Sequence, residues 1–554
     1  MAAVSAPSAA SVPPETALDQ LLRREGWSLH ERLRVAPLRC HASAVARSGS
    51  VELDLEAWRR VVAPDSPGNF DKRLQWDGLT HTDAAWALNP AAGDVPQDPA
   101  WWSLLEQLRH AARQAGPVDV LAERATACPF VHAWRPVASW ALQQLQQRCA
   151  VLSPRLQLTT EAWLDLGEAL LERLCNTADQ ALWELFNQRR TPGQMLLAHL
   201  GAGGDGQGEP VHEAYDALIN AVLADGYGEL LGHYPVLGRL LATVIDLWQQ
   251  GSGEMLERLA ESRDELQQHF QIPGTAPLTS IRLGLSDPHR GGRAVAILDF
   301  AAKDEARRVV YKPKDMQVDL AYQQFLTRLN QASNQTPLRC LTVVSKAGYG
   351  FMEWVEHRLC DSDAELAHFY RNAGRTMAVL HVLGCTDCHY ENLIASGDQL
   401  VLIDTETLLE ADLRDLISDN GDDPDALSEL RTSMQGSVLR SGLLPQWLMA
   451  GAGRKRAFDI SALGIQPPPA QRELPGWLGL NSDGMMAGRR TVPCELPTSL
   501  PVALGSPQRL TDFVDELCAG FAEQLQELIR YRPVLQEALL AFSGQPRRLV
   551  ARAT

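Results

Sequence analysis

Thr386-Asp387-Cys388-His389-Tyr390-Glu391-Asn392 is followed, twelve residues after Asn392, by Asp404 at the end of the run Leu400-Val401-Leu402-Ile403-Asp404. The first stretch is a D-x-H-x-x-N turn. The second is aliphatic and β-branched up to its closing carboxylate, as a buried strand would be. Phosphoryl transfer from ATP needs this inventory: a carboxylate to position the attacking hydroxyl, then an amide oxygen and a second carboxylate to hold Mg²⁺ against the phosphates. An Asp and an Asn capping a surface turn are the plainer reading, which either residue alone would favour. The complete spaced set favours the catalytic one.

The same residues carry a competing pattern. Cys385-Thr386-Asp387-Cys388-His389 matches C-x-x-C-H, a haem attachment sequence, and C-x-x-C is also a redox or zinc motif. Covalent haem normally accompanies export, yet residues 1–16 are rich in Ala, Ser and Pro, with neither a basic start nor an apolar core. No second Cys/His pair stands at structural zinc spacing. The phosphotransfer reading is therefore preferred.

A chain of 554 residues, 45% hydrophobic and 21% charged, is long enough for two to four domains around a large core. No run approaches the roughly twenty apolar residues of a membrane span. A formal net charge of −17 argues against a nucleic-acid partner, which would want a basic face. Ten scattered cysteines read as reduced, mostly buried thiols of a cytoplasmic protein.

Residues 1–15 are expected to be disordered and residues 16–277 mainly helical. Trp163, Leu166, Leu170, Leu174, Ala178, Leu182 and Leu185 recur at steps of three and four and form one apolar stripe, read as core. Gly201 to Gly208 lacks the Gly-Lys-Ser/Thr ending of a phosphate-binding loop and reads as a connector. The texture changes near Leu278. Strands are expected at 280–284, 294–300, 308–312, 341–344 and 349–355, with an amphipathic helix at 318–329. That arrangement suits the N-lobe of a kinase over 278–356, with Glu353-Trp354-Val355 as the hinge. A C-lobe over 357–554 would hold a helix from Asp363 to Leu383, an acidic insert from Asp412 to Asp425, a Pro/Gly-rich stretch to about Pro507 and a helix from Thr511 to about Arg530.

Lys312 closes an apolar strand 75 residues before Asp387, where its ammonium could reach the α/β phosphates of ATP. Asp319, one turn into the next helix, is either its ion-pair partner or an acid favoured by the helix dipole. Two clusters exceed what a kinase needs: Ser286-Asp287-Pro288-His289-Arg290-Gly291-Gly292-Arg293, and the basic terminal stretch Arg547 to Thr554. Each alone reads as a surface loop or basic tail. An enzyme that expels the phosphate it has transferred would need a base for the proton α to a carbonyl and cationic donors for the leaving group.

Taken together, these blocks resemble the dehydratase domain of LanM-type (class II) lanthipeptide synthetases. The resemblance rests on Asp287-Pro-His289 with Gly292-Arg293, on Val310-Tyr-Lys312-Pro313 leading to Asp319, and on Thr386 to Ala395. Leu402 to Leu408, Ser437 to Pro445, Ser461 to Gly464, Asn481-Ser-Asp483 and Arg548-x-x-x-Arg552-x-Thr554 continue it through residues 278–554. It implies an α+β, lipid-kinase-like two-lobed core capped by a helical N-terminal region. The implied activity is phosphorylation of Ser and Thr in a ribosomal precursor peptide with ATP and Mg²⁺, then elimination to dehydroalanine or dehydrobutyrine. By motif position, Lys312 binds ATP, Asp387 orients the hydroxyl, His389 supports the loop or the phosphate, and Asn392 and Asp404 hold Mg²⁺. Glu406 matches a carboxylate near the metal; Asp287, His289, Arg548 and Thr554 match elimination positions. The sequence stops before a zinc-dependent cyclase would begin, so the expectation is either a separate cyclase partner or a larger enzyme of which this is a part. A kinase without elimination, and an inactive leader-peptide-binding remnant, are the alternatives.

Overall fold

In a computed structural model, the structure describes residues 16–29, 31–33, 49–63, 67–88, 98–114, 120–201, 211–286, 288–289, 291–302, 306–410, 436–450, 456–465, 467–503, 506–507 and 509–545. Residues 1–15, the glycine-rich run beyond Gly201, Asp287, the acidic insert, Arg548 and Thr554 lie outside the described residues.

The N-terminal part is helical. Thr159 caps the Thr160–Arg189 helix by accepting from Ala162 N. Leu166, Leu170, Leu174, Ala178, Leu182 and Leu185 are buried along it, as their spacing predicts, and Trp163 packs at the margin. Each such buried leucine contributes about 1.5–3 kcal/mol of hydrophobic stabilisation. The stripe meets the Val131–Cys149 and Pro235–Glu261 helices, and Trp248 of the latter donates its indole N–H to Leu166 O at 3.1 Å. Among the described residues, no helix is long and apolar enough to cross a membrane.

A five-stranded antiparallel sheet follows: β1 (Leu278–Arg282), β2 (Ala296–Phe300), β3 (Arg307–Lys312), β4 (Val343–Lys346) and β5 (Tyr349–Glu353), in the order β1-β2-β3-β5-β4. The expected strands lie within a few residues of these, and the expected 318–329 helix is Gln317–Ala332. The segment before the Thr160–Arg189 helix covers the free edge of β1, with Leu278 N donating to Gln157 O at 2.8 Å and Thr159 N to Leu278 O at 3.0 Å.

Alternation along β3 serves two cores at once, because successive side chains leave a strand on opposite faces. Val309 and Tyr311 join the core of the N-terminal helices. Val310 faces the other way, toward an apolar cluster of Met316, Leu341, Val343, Met352, Val355, Ile394 and Val401. Lys312 has the parity of Val310, so it ends the strand on this second face. The sheet thus shares one core with the helical region and turns its other side toward the C-terminal part.

There the Asp363–Val382 helix lies against the Val514–Arg530 helix. Gly374 and Gly520 allow backbone to touch backbone: a Cβ on Gly374 would lie 2.0 Å from Leu517 O, and one on Gly520 1.9 Å from Arg371 O. The first helix leads into the 384–392 loop and the hairpin β6 (Leu393–Ser396) and β7 (Gln399–Leu402). The stretch read as merely Pro/Gly-rich contains three more antiparallel pairs, β8 (Trp447–Ala450) with β9 (Arg456–Asp459), β10 (Gln471–Leu478) with β11 (Met486–Pro493), and the short β12 (Val502–Ala503) with β13 (Ser506–Pro507). No residue of the β10–β11 ribbon is fully buried, although Trp477 packs on Trp183 of the N-terminal helices, so the ribbon carries little apolar alternation to read.

The tip of that ribbon docks into the N-terminal helices. Asp483 accepts from Ala214 N at 3.1 Å and Tyr215 N at 2.8 Å, capping the Glu213–Ala224 helix. Tyr215 Oη donates to Asn481 Oδ1 at 3.0 Å, and Arg190 donates to Met485 O at 2.9 Å. The Asn481-Ser-Asp483 block is therefore an anchor between distant parts of the chain.

Candidate active site

The 384–392 loop is clasped from three sides. Cys388 N donates to Ser441 O at 2.8 Å and Tyr390 N to Ile460 O at 3.1 Å, while Thr407 donates its hydroxyl to Thr386 O. His389 pairs through its backbone with Ser461. The Ser437–Pro445 and Ser461–Gly464 blocks thus brace the loop. Asp387 has φ +59°, a left-handed conformation uncommon outside glycine and frequent where strain serves a site. Asn392 donates Nδ2 to Asp387 O at 2.8 Å, leaving Oδ1 as the amide atom suited to a hard cation.

The loop is joined to the strand that carries the second carboxylate: Ile403 N donates to Asn392 O at 3.0 Å. Regular β7 ends at Leu402, two residues short of the expected strand end. Asp404 bends away, accepting from Glu406 N at 3.2 Å.

Lys312 and Asp319 are both buried, with Nζ and Oδ1 3.8 Å apart, which resolves Asp319 as an ion-pair partner. Lys312 also donates to Ile403 O. Burial pushes the Lys312 ammonium down and the Asp319 carboxyl up, and each opposes the shift of the other. Breaking such a pair leaves an uncompensated buried charge. Asp319→Asn is expected to cost about 3 kcal/mol in chemical denaturation; an unchanged unfolding midpoint would count against the pairing.

Lys314 was not singled out by sequence. Its Nζ donates to Asp404 Oδ1 at 2.8 Å and to Glu406 Oε1 at 2.9 Å. Burial alone would raise the Asp404 carboxyl, but Lys314 and then Lys312 outweigh it and hold it down to about 2. Burial would lower the Lys314 ammonium, yet Asp404, Asp319 and Glu406 raise it above the ordinary lysine range. Two carboxylates already converge on one cationic nitrogen, so with the nearby Asn392 amide the donor set fits a hard divalent ion. The spacing K-P-K offered the only sequence signal for Lys314.

His389 keeps its ring partly buried, with Nε2 3.7 Å from Glu391 Oε2 and no hydrogen-bond partner for Nδ1 among the described residues. Cys385 and Cys388 are buried free thiols with Sγ atoms 3.2 Å apart. His289 is exposed in a hairpin whose backbone pairs it with Arg293. That hairpin leans on the Pro235–Glu261 helix: Arg293 bonds Glu254 at 2.5 Å, and a Cβ on Gly292 would fall 2.8 Å from Leu247 Cβ. Among the described residues, no hydrogen bond or ion pair ties the His289 side chain to Lys312, Asp387 or Asp404. The structure therefore gathers Lys312, Asp404 and Glu406, and links Asn392 and Asp387 to them through the backbone.

Residues 234–554 match the family described as Domain of unknown function (DUF4135), and the chain belongs to that family. DUF4135 is the dehydratase region of LanM-type synthetases. The chain is also 21% identical over 291 residues to the Lacticin 481/lactococcin biosynthesis protein LcnDR2 of Lactococcus lactis subsp. lactis. That match spans 51% of this chain and 29% of the relative, less than a third of that protein's length.

Proposed function

We propose that this chain is a peptide dehydratase with a lipid-kinase-like two-lobed core, which phosphorylates Ser and Thr of a ribosomal precursor peptide and then eliminates the phosphate. The observation that carries the reading is the convergence of Asp404 and Glu406 on a cation, beside buried Lys312 and next to the Asp387–Asn392 loop. ATP would lie against the edge of the apolar cluster of Met316, Leu341, Met352, Val355 and Ile394, with Lys312 directed at its phosphates. Asp404, Glu406 and Asn392 would hold Mg²⁺, which when bound neutralises phosphate charge. Asp387 accepts the proton of the peptide hydroxyl, whose oxygen bonds to the γ-phosphorus as ADP leaves. His389 supports the loop or contacts the phosphate.

In the second half-reaction a base takes the Cα proton, the C–H electrons form the Cα=Cβ double bond, and the Cβ–O bond breaks to release phosphate. Asp287, His289, Arg548 and Thr554 are the residues assigned to that half. The alternative is a kinase without elimination, in which phosphorylated peptide is the product.

The test is a mass spectrum of a cognate precursor peptide after incubation with the protein, ATP and Mg²⁺. Loss of one water per modified residue is expected, and the Arg548→Ala variant is expected to accumulate phosphorylated peptide instead. Phosphorylation without water loss in the unaltered protein would establish the second reading. An unchanged peptide would count against both.

A further inference from the structure

Lys314 bonds one oxygen of each carboxylate that would hold a metal. Its ammonium bonds Asp404 at 2.8 Å and Glu406 at 2.9 Å, while Lys312, two residues earlier, is committed to Ile403 O and Asp319. The two lysines therefore have different partners, one on the strand-and-helix side and one on the carboxylate pair. Magnesium binds oxygen at about 2.0–2.1 Å in near-octahedral geometry. An ammonium bonding both carboxylates and a divalent ion using the same oxygens exclude one another.

We propose that Lys314 is the resident counter-cation of the Asp404–Glu406 pair, displaced by the divalent ion that enters with nucleotide and then available to the nucleotide's phosphates. The inference rests on the phosphotransfer reading of this site. In the absence of nucleotide the ammonium keeps two carboxylates together that would otherwise repel. A divalent ion arriving alone leaves the displaced ammonium only Asp319 as an anionic neighbour, and that carboxylate is already paired with Lys312. A divalent ion arriving with a polyphosphate gives the displaced ammonium a new anionic partner. Metal and nucleotide therefore bind cooperatively, and each tightens the other by the same factor. Lys314 is on this account a positioning residue that acts through the metal pair.

The measurement is titration of the full chain with Mn²⁺, followed by the electron paramagnetic resonance of the free ion, with and without a non-hydrolysable ATP analogue. Lys314→Met and Lys314→Gln remove the charge, and the second keeps a hydrogen-bond donor near the carboxylates should the first fold poorly. Both are expected to bind Mn²⁺ alone about tenfold more tightly than the unaltered protein. Both should also lose most of the further tightening that the analogue gives. Lys314→Arg, which keeps the charge, should behave as the unaltered protein. Neutral variants with unchanged nucleotide-free affinity and unchanged coupling would overturn the proposal. Asp404→Asn separates the two levels. If it abolishes Mn²⁺ binding while Lys314 proves indifferent, the metal site stands and the counter-cation role falls. Mn²⁺ binding indifferent to Asp404→Asn, or absent from every protein with the analogue present, would overturn both.

Discussion

Asp387→Asn is expected to lower the rate of peptide phosphorylation by about 10²–10⁴-fold, the usual range for loss of a positioned acid–base group. Asparagine is the informative replacement because Asp387 sits at φ +59°. Asn is among the few residues that tolerate the left-handed region, so the loop keeps its shape. The Asp387 carbonyl still accepts from Asn392, and the clasp from Ser441 and Ile460 uses only backbone groups. What is removed is the capacity to accept a proton. A variant that phosphorylates peptide at the normal rate would remove Asp387 from the chemistry. An alanine at this position would confound strain with chemistry.

Gly520→Ala should be the most damaging single methyl group in the C-terminal part. Its Cβ would lie 1.9 Å from Arg371 O and 2.8 Å from Arg371 C, both backbone atoms that no rotamer change can move aside. Overpacking a well-filled interface costs about 1–3 kcal/mol, occasionally more, and this contact belongs at the upper end. The flanking polar contacts would be strained as well, since Arg371 reaches Glu523 and Glu516 across the helix pair and Arg375 donates to Gln524 at 3.1 Å. The damage should extend beyond stability, because the Asp363–Val382 helix delivers the chain into the 384–392 loop. Urea unfolding checks it: a midpoint equal to that of the unaltered protein would mean that the helices are not held in backbone contact.

Local features were readable from the sequence, and convergent ones were not. The leucine stripe of the Thr160–Arg189 helix and the five strands of the sheet follow from periodicity, because burial on one face selects residue type at that spacing. Asp387, Asn392 and Asp404 stood out because the chemistry compresses them into a short span. Lys312 was found through strand context, but Asp319 could be read either as its partner or as a helix-dipole residue until the 3.8 Å separation was known. Lys314 meets Asp404 and Glu406 across 90 and 92 residues, a relation that no local pattern encodes. Gly374 and Gly520 carry no signal in the local sequence, since the feature that explains them lies on another helix. Asn481 and Asp483 belonged to a motif of unstated purpose, and their partners proved to be backbone amides and a tyrosine in the N-terminal helices.

That last anchor sets an order of events during synthesis. Ala214 N must wait for a carboxylate 269 residues downstream. At ribosomal speeds of about 5–20 residues per second, the delay is on the order of ten seconds to a minute. Throughout that interval the Glu213–Ala224 helix has an uncapped amino end, and Arg190 lacks the carbonyls of Asp483 and Met485. The nascent helical half is thus obliged to leave a socket open for the ribbon tip. A fragment cut at the start of β1 would keep that socket permanently empty, so the two halves are better regarded as one cooperative folding unit than as modules to be exchanged.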